Sequence, residues 1–364
     1  MHIWLPALIT GKVRVHKNVI CIIGMHRSGT SMVARLLNQC GLNLGPEERL
    51  LGPNADNPMG HFEHTGFLEI DDALLKHFGG SWDNPPILNS GWENDATLGE
   101  LVAKAEKLID TFTNSTPWGW KEPRTTFLLP LWQKLLPDLR NVICVRNPLE
   151  VARSLAERNG TSIPEGAHLW SQYIRTAIQN TEGRPRILTF YEDYFRNPLD
   201  EINRVVGFCS LDRFEDPSRV QEIIFGELRH QTSGTAELLN EGSVPLEYKL
   251  LYLGLRSLAS EERCMMEIND GTKSRVSNAI GNVLAVIDEL HDQEKTLQLE
   301  TALCVKEYQL RELGVRMREE LREKSQLISQ LQDHNVRLQT FADAVRKTVV
   351  YRLYRRIIRP LKGY

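Results

Sequence analysis

The amino-acid sequence predicts an α/β fold of three layers with a central parallel sheet, extended toward its C-terminal end by a helical coiled coil. Apolar, β-branched runs at residues 18–23 and 141–145 are typical of strands buried on both faces, as in a parallel sheet. Helical spacing of apolar residues alternates with such runs over residues 18–230, which is the pattern of an α/β domain. Beyond residue 285, apolar residues recur every three or four positions, as in a coiled coil.

The predicted elements follow the chain in a regular order. The first strand ends at Gly24, and a helix begins near Ser31. Residues 45–62 are rich in Pro, Gly, Asn and Asp, which predicts a long surface loop. Further helices are predicted at 66–78, 97–112, 125–136, 149–158 and 165–180, a second strand within NVICVRNP at 141–148, a third strand at 186–194, and shorter helices over 198–230.

The chain divides into four predicted segments, which are a lead at 1–17, a main domain at 18–284, a coiled coil at 285–345 and a basic amphipathic tail at 346–364. Asn335 occupies a core position of the repeat, where an Asn favours a two-stranded register, so a homo-oligomer is expected. The tail has basic residues and no acidic ones. It is interpreted either as a helix that docks on a membrane or a partner, or as a solvated helix end.

Charge and cysteine usage exclude some functional classes. With 364 residues, a net charge of −3 and a pI near 6.4, the chain has no excess of positive charge for coating nucleic acid. Its six cysteines contain no C-x-x-C pair, which favours a reducing compartment over a disulfide scaffold. The segment MHIWLPALIT resembles neither a secretory signal nor a membrane span. A cytoplasmic location is therefore expected, peripheral at the membrane if the tail docks there.

The segment GMHRSGTS at residues 24–31 lies between the first strand and the first helix. It has the two glycines and the final hydroxyl of a Walker A phosphate loop, but Thr30 stands where that loop has its Lys. Arg27 supplies a positive charge within the loop instead. Backbone N–H groups and the following helix N-terminus still favour an anion here, whereas magnesium and triphosphate chemistry is disfavoured. The fold is therefore expected to be P-loop-like, with a different anion in the loop.

A second anion site is predicted where the strand in NVICVRNP ends. Arg146 ends that strand, and Ser154 lies eight residues later, about two turns into the next helix. The guanidinium and the hydroxyl can therefore converge on one anion. Two anion sites at two strand ends suit a nucleotide that carries phosphates at both its 5′ and its 3′ end.

These motifs resemble the sulfotransferases that use 3′-phosphoadenosine 5′-phosphosulfate (PAPS). The loop GMHRSGTS resembles the family's 5′-phosphosulfate loop, and Arg146 with Ser154 resembles its 3′-phosphate pair. NPMGHFE at 57–63 and WGWKEPRTT at 118–126 resemble the bacterial, carbohydrate-type branch. The likeness spans about residues 18–230 and makes the main domain a sulfotransferase domain. It implies in-line transfer of a sulfuryl group from PAPS to a hydroxyl or amine of a saccharide-like acceptor, with no metal.

The resemblance also implies roles for individual residues. Sulfuryl transfer needs a base for the acceptor hydroxyl and cations beside the oxygens that gain charge. Glu63 is the expected base, and Lys121 and Arg27 are the expected cations. The residues assigned to PAPS are Gly24, His26, Arg27, Ser28, Gly29, Thr30, Ser31, Arg146 and Ser154.

Several assignments stay open. Glu48 and Glu122 are rival bases, and Glu122 is alternatively the group that orients Lys121. His61 and His64 flank Glu63 and can also accept a proton near neutral pH. The remaining cation, aromatic and C-terminal candidates are Arg124 as an acceptor-binding or ion-pair residue, Arg229 and His230 near a last 3′-phosphate contact, and Trp82, Trp92, Trp118 and Trp120 as stacking platforms for sugar rings.

Two other functions compete with the enzyme that the motifs resemble. A P-loop nucleotide kinase would need magnesium and a loop Lys, and that Lys is absent. A non-catalytic assembly protein with a residual nucleotide fold would rely on the coiled coil and the basic tail. The intact set of Arg27, Arg146 and Ser154 argues against complete loss of the nucleotide site.

Overall fold

The structure, a computed structural model, describes part of the chain, namely residues 18–54, 57–113, 115–213, 220, 224, 233–265, 322–347, 352 and 356. These residues belong to two compact units, one within residues 1–290 and the other within residues 291–364. The predicted lead, the candidates Arg229 and His230, the first part of the predicted coiled coil and most of the basic tail lie outside the described residues.

The described residues form a central parallel sheet, as predicted, and it has four strands, one more than the sequence predicted. They are β1 (Val19–Gly24), β2 (Trp118–Lys121), β3 (Arg140–Val145) and β4 (Arg186–Phe190), and they lie in the order β2-β1-β3-β4. All three pairings are parallel, so the carboxyl ends of the four strands lie at the same end of the sheet. The chain runs from β1 to β2, which lies on one side of β1, and then to β3, which lies on the other side of β1. The crevice at the carboxyl ends of β1 and β3 is therefore where this architecture places ligands.

The described helices of the first unit largely follow the predicted ones. They are α1 (Thr30–Gln39), α2 (Thr65–His77), α3 (Gly99–Asp110), α4 (Thr125–Leu135), α5 (Pro148–Asn159), α6 (Ile163–Asn180), α7 (Asp193–Arg196), α8 (Pro198–Cys209), α9 (Thr235–Asn240) and α10 (Leu246–Met265). The strand predicted over 186–194 was too long, because β4 ends at Phe190 and α7 begins at Asp193. Glu192 between them accepts a hydrogen bond from the Asn147 backbone N–H at 2.7 Å, which ties this turn to the end of β3.

Alternation of side chains along the strands creates the three layers. Val19, Cys21 and Ile23 belong to an apolar cluster with residues of α2 to α6 and α10, whereas Ile20 and Ile22 belong to a second cluster with residues of α1 and α8. Both faces of the sheet are therefore covered, which explains why the strands are continuous apolar runs.

Helix α5 is fixed at both of its ends. The Asn147 side chain accepts a hydrogen bond from the Leu149 backbone N–H at 2.9 Å, and Pro148 takes the first helical position. Gly160 ends the helix with φ 70°, a left-handed conformation that Gly adopts at little cost. These ends define the position of Ser154, which lies in the middle of the helix.

Four tryptophans were predicted as sugar platforms, and the prediction was wrong for two of them. Trp118 and Trp120 are 1% and 0% exposed, so neither can contact an acceptor. Phe67 stacks on Trp120 with ring centroids 4.5 Å apart, and Phe112 stacks on Trp118 at the same distance. In β2 the alternate residues point to one face of the sheet, and that face lies under α2 and α3. Trp82 and Trp92 are half-buried.

Residues 322–347 form a helix, α11, in the second unit. All of its side chains are exposed, including seven large apolar ones, which are Leu327, Ile328, Leu331, Val336, Leu338, Phe341 and Val345. The helix agrees with the predicted secondary structure, and the coiled coil with its self-association stays a prediction. Among the described residues no helix combines the length and the apolar character that crossing a membrane requires.

A buried carboxyl group joins α2 to α4. Asp71 is 0% exposed; its Oδ1 accepts a hydrogen bond from Trp132 Nε1 at 2.8 Å, and its Oδ2 is hydrogen-bonded to the Thr125 hydroxyl. Trp120 Nε1 donates to Thr125 Oγ1 at 3.1 Å. Burial, reinforced by the charge of Glu122, raises the pKa of Asp71 to about 8. The group is thus largely protonated in the folded protein at neutral pH.

We expect Asp71→Asn to flatten the dependence of stability on pH. The carboxyl titrates near 3.8 in an unfolded chain and near 8 in the folded one, so the folded protein keeps a proton that the unfolded chain releases. The free energy of unfolding therefore falls as pH rises between these values, by up to about 1.4 kcal/mol per pH unit. Urea unfolding at pH 5 to 8 measures this slope, and the uncharged Asn removes the part of it that Asp71 contributes, while buried Glu122 keeps its own part.

The matched control is Asp138→Asn, because Asp138 is exposed and lies outside this network. It should leave the slope as in the unmodified protein. A slope that is identical in Asp71→Asn would show that another group takes up the proton on folding.

Candidate active site

The loop between β1 and α1 has a backbone that only glycine can follow at two positions. Gly24 has φ 131°, and a Cβ there would lie 2.3 Å from the Cys144 carbonyl oxygen of β3. Gly29 has φ 81°, and a Cβ there would lie 2.4 Å from the Tyr191 ring. Both glycines let the loop pass close to neighbouring elements. Arg27 also has a positive φ, 68°, which is costly for a residue with a Cβ and is typical of functional sites.

Arg27, Arg146 and Ser154, predicted as two separate anion sites, are directly connected. Arg27 Nε donates a hydrogen bond to Ser154 Oγ at 2.8 Å. Arg146 Nη1 donates to the Arg27 carbonyl oxygen at 3.0 Å. Hydrogen bonds of both its side chain and its backbone thus hold Arg27 in the left-handed conformation. The loop, the end of β3 and the middle of α5 form one basic site.

Arg146 is held by groups that the sequence did not identify. Its Nε donates to Glu150 Oε2 at 2.7 Å, one turn into α5, and Glu150 is 0% exposed. Its guanidinium lies over the Tyr191 ring, 4.3 Å from the ring centroid. The Trp170 indole donates to the Arg146 carbonyl oxygen at 3.0 Å. These three contacts, with the hydrogen bond to the Arg27 carbonyl oxygen, fix the side chain and backbone before any ligand binds.

Donors within the loop fit an anion. The Ser28 hydroxyl is buried, and its oxygen has no hydrogen-bond partner in the part of the chain that the structure describes. A buried hydroxyl without a partner is uncommon in native proteins, and an anion held in the loop would supply that partner. Thr30 at the start of α1 is 3% exposed, and no side chain caps this helix. Ser31 Oγ accepts a hydrogen bond from Asn57 Nδ2 at 3.3 Å, which connects the loop to the motif NPMGHFE.

Lys121 and Glu63, two of the three predicted catalytic residues, form a buried ion pair. Lys121 Nζ lies 2.5 Å from Glu63 Oε1 and donates to the His61 carbonyl oxygen at 3.1 Å. Burial alone would raise the pKa of Glu63, but the charge and hydrogen bond of Lys121 outweigh it and hold that pKa below its usual value. Glu63 is therefore ionised at neutral pH. Phe62 has φ 57°, so a second strained residue lies within this segment.

Glu122 does not orient Lys121, because it pairs with Arg124. Its Oε1 accepts hydrogen bonds from the Arg124 backbone N–H at 3.0 Å and from Arg124 Nη1 at 2.8 Å. Successive residues of an extended chain point in opposite directions, which separates Glu122 from Lys121. Glu122 is 0% exposed, and burial followed by the charge of Glu63 raises its pKa to about 7. Of the two roles proposed for Arg124, the structure supports the ion-pair partner.

The other candidates near Glu63 have different surroundings. Glu48 is exposed, in the short 3₁₀ turn Glu47–Arg49. His64 precedes α2, and its Nδ1 accepts a hydrogen bond from the Gly66 backbone N–H at 3.1 Å, which makes it a helix cap. Burial and then the neighbouring charge of Arg49 lower its pKa.

His26 and His61 are neutral at physiological pH. Burial, followed by the charges of Arg124 and Lys121, lowers the pKa of His26 well below its ordinary value. Burial is also the largest cause of the lowered pKa of His61, beside which Lys121 lies. The His26 ring packs edge-on against Trp82 at 4.9 Å between centroids.

Sequence reasoning missed Glu150, Tyr191 and Arg158. Glu150 had a usable signal, since it lies four residues after Arg146 at the start of a helix. Tyr191 had a weaker one, because it lay inside the strand predicted over 186–194, whereas the observed strand β4 ends one residue before it, at Phe190. Arg158 had none, because its environment is formed by Trp82 from a distant segment, 5.3 Å from the guanidinium carbon.

Comparison with known proteins identifies the family. The model of a family described as the sulfotransferase family matches residues 19–216, more than half of the chain. The chain belongs to the sulfotransferase family. The matched range contains the loop at 24–31, the ion pair of Glu63 with Lys121, and Arg146 with Ser154.

Two relatives of this sulfotransferase-family chain are nematode proteins described as protein-tyrosine sulfotransferases. The Caenorhabditis elegans protein is 26% identical over 163 residues, which is 40% of this chain and 61% of the relative. The Caenorhabditis briggsae protein is 27% identical over 163 residues, which is 40% of this chain and 56% of the relative. The chain thus spans less than two thirds of the length of these relatives.

Solved sulfotransferases show a weaker likeness. STF9 from Mycobacterium avium is 14% identical with a TM-score of 0.34, covering 60% of this chain and 69% of that one. STF1 from Mycobacterium tuberculosis H37Rv is 11% identical with a TM-score of 0.37, covering 63% of this chain and 75% of that one. Scores this low add nothing to the description of the site.

We expect Lys121→Met and Glu63→Leu to destabilise the protein much more singly than in combination. Each single change leaves a buried charge without its partner, which costs about 3–5 kcal/mol of unfolding free energy. The double variant removes both charges, so its loss should be well below the sum of the two. Urea unfolding of the four proteins measures the coupling. Additive losses would mean that the pair at 2.5 Å does not form in solution.

Proposed function

We propose that this chain transfers the sulfuryl group of PAPS to an acceptor hydroxyl or amine. The observation that carries the proposal is the connection of Arg27, Arg146 and Ser154 through hydrogen bonds of 2.8 and 3.0 Å at the carboxyl ends of β1 and β3. A basic site that joins a phosphate-type loop to a strand-end Arg suits a nucleotide with anionic groups at both ends.

The donor, PAPS, would bind to the loop, to Arg146 at the end of β3 and to Ser154 of α5. The loop donors around Ser28 and the N-terminus of α1 would hold the 5′-phosphosulfate, and Arg146 with Ser154 would hold the 3′-phosphate. Bound PAPS would supply the activated sulfuryl group. Glu150 and Tyr191 keep the Arg146 guanidinium oriented, so little side-chain entropy is lost on binding.

The reacting half would use the pair of Lys121 and Glu63. Glu63 is ionised and can accept the proton of an attacking hydroxyl, while Lys121 and Arg27 face negative charge that develops on the transferred group. Both cations are held by protein contacts, Lys121 by Glu63 and the His61 carbonyl and Arg27 by Ser154. This preorganisation is the main source of catalysis in a transfer that needs little covalent chemistry from the protein.

We propose a saccharide-like acceptor, following the resemblance of NPMGHFE and WKEPR to the carbohydrate-type branch. Half-buried Trp82 beside the loop residue His26 supports this choice as an aromatic surface near the reacting groups. A protein tyrosine is the second candidate, favoured by the two nematode relatives. Transfer of radiolabel from PAPS to unsulfated polysaccharides and to tyrosine peptides distinguishes the two.

The first test is calorimetric titration with 3′-phosphoadenosine 5′-phosphate (PAP) and, separately, with ATP and magnesium. We expect PAP to bind and ATP with magnesium to bind at least tenfold more weakly, because Thr30 replaces the Lys of a triphosphate loop. Arg146→Ala should weaken PAP binding at least tenfold, about 1.4 kcal/mol. Preference for ATP would favour the kinase, and PAP binding without any turnover would favour the assembly protein.

Two further variants control that titration. Arg146→Ala leaves Glu150 buried without its partner, so Ser154→Ala, which keeps the ion pair, tests the same site without that risk. Arg184→Ala is the matched control. Arg184 is exposed and lies just before β4, at the amino ends of the strands, whereas the site lies at their carboxyl ends. Unchanged PAP affinity in both site variants would contradict the proposal.

The second test concerns the base. We expect Glu63→Gln to lower kcat at least 100-fold with little change in PAP affinity, because Gln still accepts a hydrogen bond from Lys121 but cannot take up a proton. Glu48→Gln should change kcat less than threefold. The measurement is label transfer to the best acceptor of the screen, at a temperature where circular dichroism shows both variants folded. The reverse result would give the role to Glu48.

A further inference from the structure

A cavity of about 550 Å³ lies between the segment at 43–49, the start of α2 and the end of α3. Asn43 in its lining pairs with Trp118, the first residue of β2. Lys121, which pairs with Glu63, is the last residue of that strand, about 10 Å further along. The cavity is therefore distinct from the candidate active site, and its volume is in the range of small-molecule sites.

His64 presents a hydrogen-bond donor to this cavity. The residue is 5% exposed, and its Nδ1 accepts a hydrogen bond from the Gly66 backbone N–H at 3.1 Å. Because an accepting ring nitrogen carries no proton, the proton of the neutral ring lies on Nε2. Nε2 has no hydrogen-bond partner in the part of the chain that the structure describes. A buried donor without a protein partner is uncommon, and a ligand in the cavity would supply that partner.

Two glycines of the lining keep the His64 ring accessible. Gly45 has φ 103°, and a Cβ there would lie 2.6 Å from His64 Cδ2 and 3.2 Å from Nε2. A Cβ at Gly66 would lie 3.2 Å from Cε1 on the other side of the ring. Both glycines line the cavity. A side chain at Gly45 would therefore cover the free nitrogen, and glycine leaves it open.

Arg49 adds a positive charge to the same cavity. It is exposed, and no carboxylate of the described residues lies within ion-pair distance of its guanidinium. The next residue, Leu50, pairs with His64 in an antiparallel bridge, which brings Arg49 beside His64. Because both side chains line one cavity and their backbones are neighbours, the guanidinium fork and the Nε2–H can contact one anionic group.

The end of α3 gives the lining an apolar part. Leu108 and Phe112 belong to it, and the buried Phe112 ring packs edge-on against the His64 ring with centroids 5.7 Å apart. The Thr111 hydroxyl donates to the Leu108 carbonyl oxygen at 2.7 Å, so its proton is already used within the protein. An occupant therefore meets apolar side chains from α3 and the two donors of Arg49 and His64.

We propose that this cavity binds a small organic anion with a planar apolar body, whose carboxylate or sulfonate contacts Arg49 and His64 Nε2. The site goes beyond the proposed function, because binding there requires neither PAPS nor Glu63. Charge and shape are read by different residues. The cations bind the anionic group, and Leu108 with Phe112 contacts the apolar body.

Two dyes with the same ring system test the proposal. Anilinonaphthalene sulfonate (ANS) carries an anionic group, and phenylnaphthylamine lacks it. Fluorescence titrations use the full chain, with and without saturating PAP, and compare the unmodified protein with Arg49→Gln, His64→Asn, Thr111→Trp and the control Arg184→Gln. His64→Asn keeps a side-chain acceptor for the cap of α2 and removes the Nε2–H. Circular dichroism checks that each variant is folded.

We expect ANS to bind at least tenfold more tightly than the uncharged dye, and Arg49→Gln to remove most of that difference. His64→Asn should weaken ANS binding at least threefold and leave the uncharged dye unchanged. Thr111→Trp places a large ring in the lining and should weaken binding of both dyes. Arg184→Gln and saturating PAP should each change ANS affinity by less than about twofold.

Three results would overturn the proposal. The first is equal affinity for the two dyes, or no binding of ANS. The second is ANS affinity that is unchanged in both Arg49→Gln and His64→Asn, which would place the dye elsewhere, such as on the exposed apolar residues of α11. The third is displacement of ANS by PAP, which would make its site the donor site. Failure of the proposed function is a separate outcome, because a protein that does not bind PAP would still give the expected dye titrations.

Discussion

The close approach of β1 to β3 at Gly24 is the constraint on which the site depends. The backbone there passes so near the Cys144 carbonyl that no side chain fits, and the chain then turns into a loop whose N–H groups precede α1. Because β3 lies directly beside β1, its last residue is followed by Arg146 within reach of the same loop. A side chain at Gly24 that pushed β1 away from β3 would also separate the loop from Arg146, which donates a hydrogen bond to it.

The second feature of the site is a set of buried carboxylates, and each of them has a basic partner. Isolated buried charges cost several kcal/mol, whereas paired and hydrogen-bonded ones are tolerated. Glu150 and Glu122 pair with Arg146 and Arg124, which lie only a few residues away in the chain, whereas Glu63 pairs with Lys121 from a distant segment. The pair of Glu63 with Lys121 therefore joins the segment at 57–63 to the end of β2.

The sequence was sufficient to predict elements whose signal is local. Apolar runs identified three of the four strands, and the glycines with Arg27 identified the loop between β1 and α1 as the candidate anion site. Spacing placed Ser154 on the same side as Arg146, but it could not show that Arg27 connects them, because that hydrogen bond spans 127 positions of the chain.

The errors share a physical cause, which is that neighbours in sequence were treated as neighbours in space. WGWKEPR was interpreted as one functional motif, yet its two tryptophans are in the core, Lys121 pairs with Glu63, and Glu122 pairs with Arg124. The alternation of an extended chain distributes these side chains among different surroundings. Arg158 shows the opposite situation. Its position in a polar stretch of helix gives no signal in the sequence, and its contact with the distant Trp82 is visible only in the structure.

The left-handed backbone of Arg27 has a consequence for how such a site can change over evolution. Glycine would adopt that conformation without strain, so replacement by glycine would favour the loop backbone while removing the side-chain bond to α5. The loop backbone and the side-chain contact with α5 thus favour different residues at this position. By contrast, the segment at 83–91 lies outside the sheet and is mostly exposed, so it can vary without altering β1 or β3. Substitutions should therefore be tolerated better in that segment than at the turn of the loop.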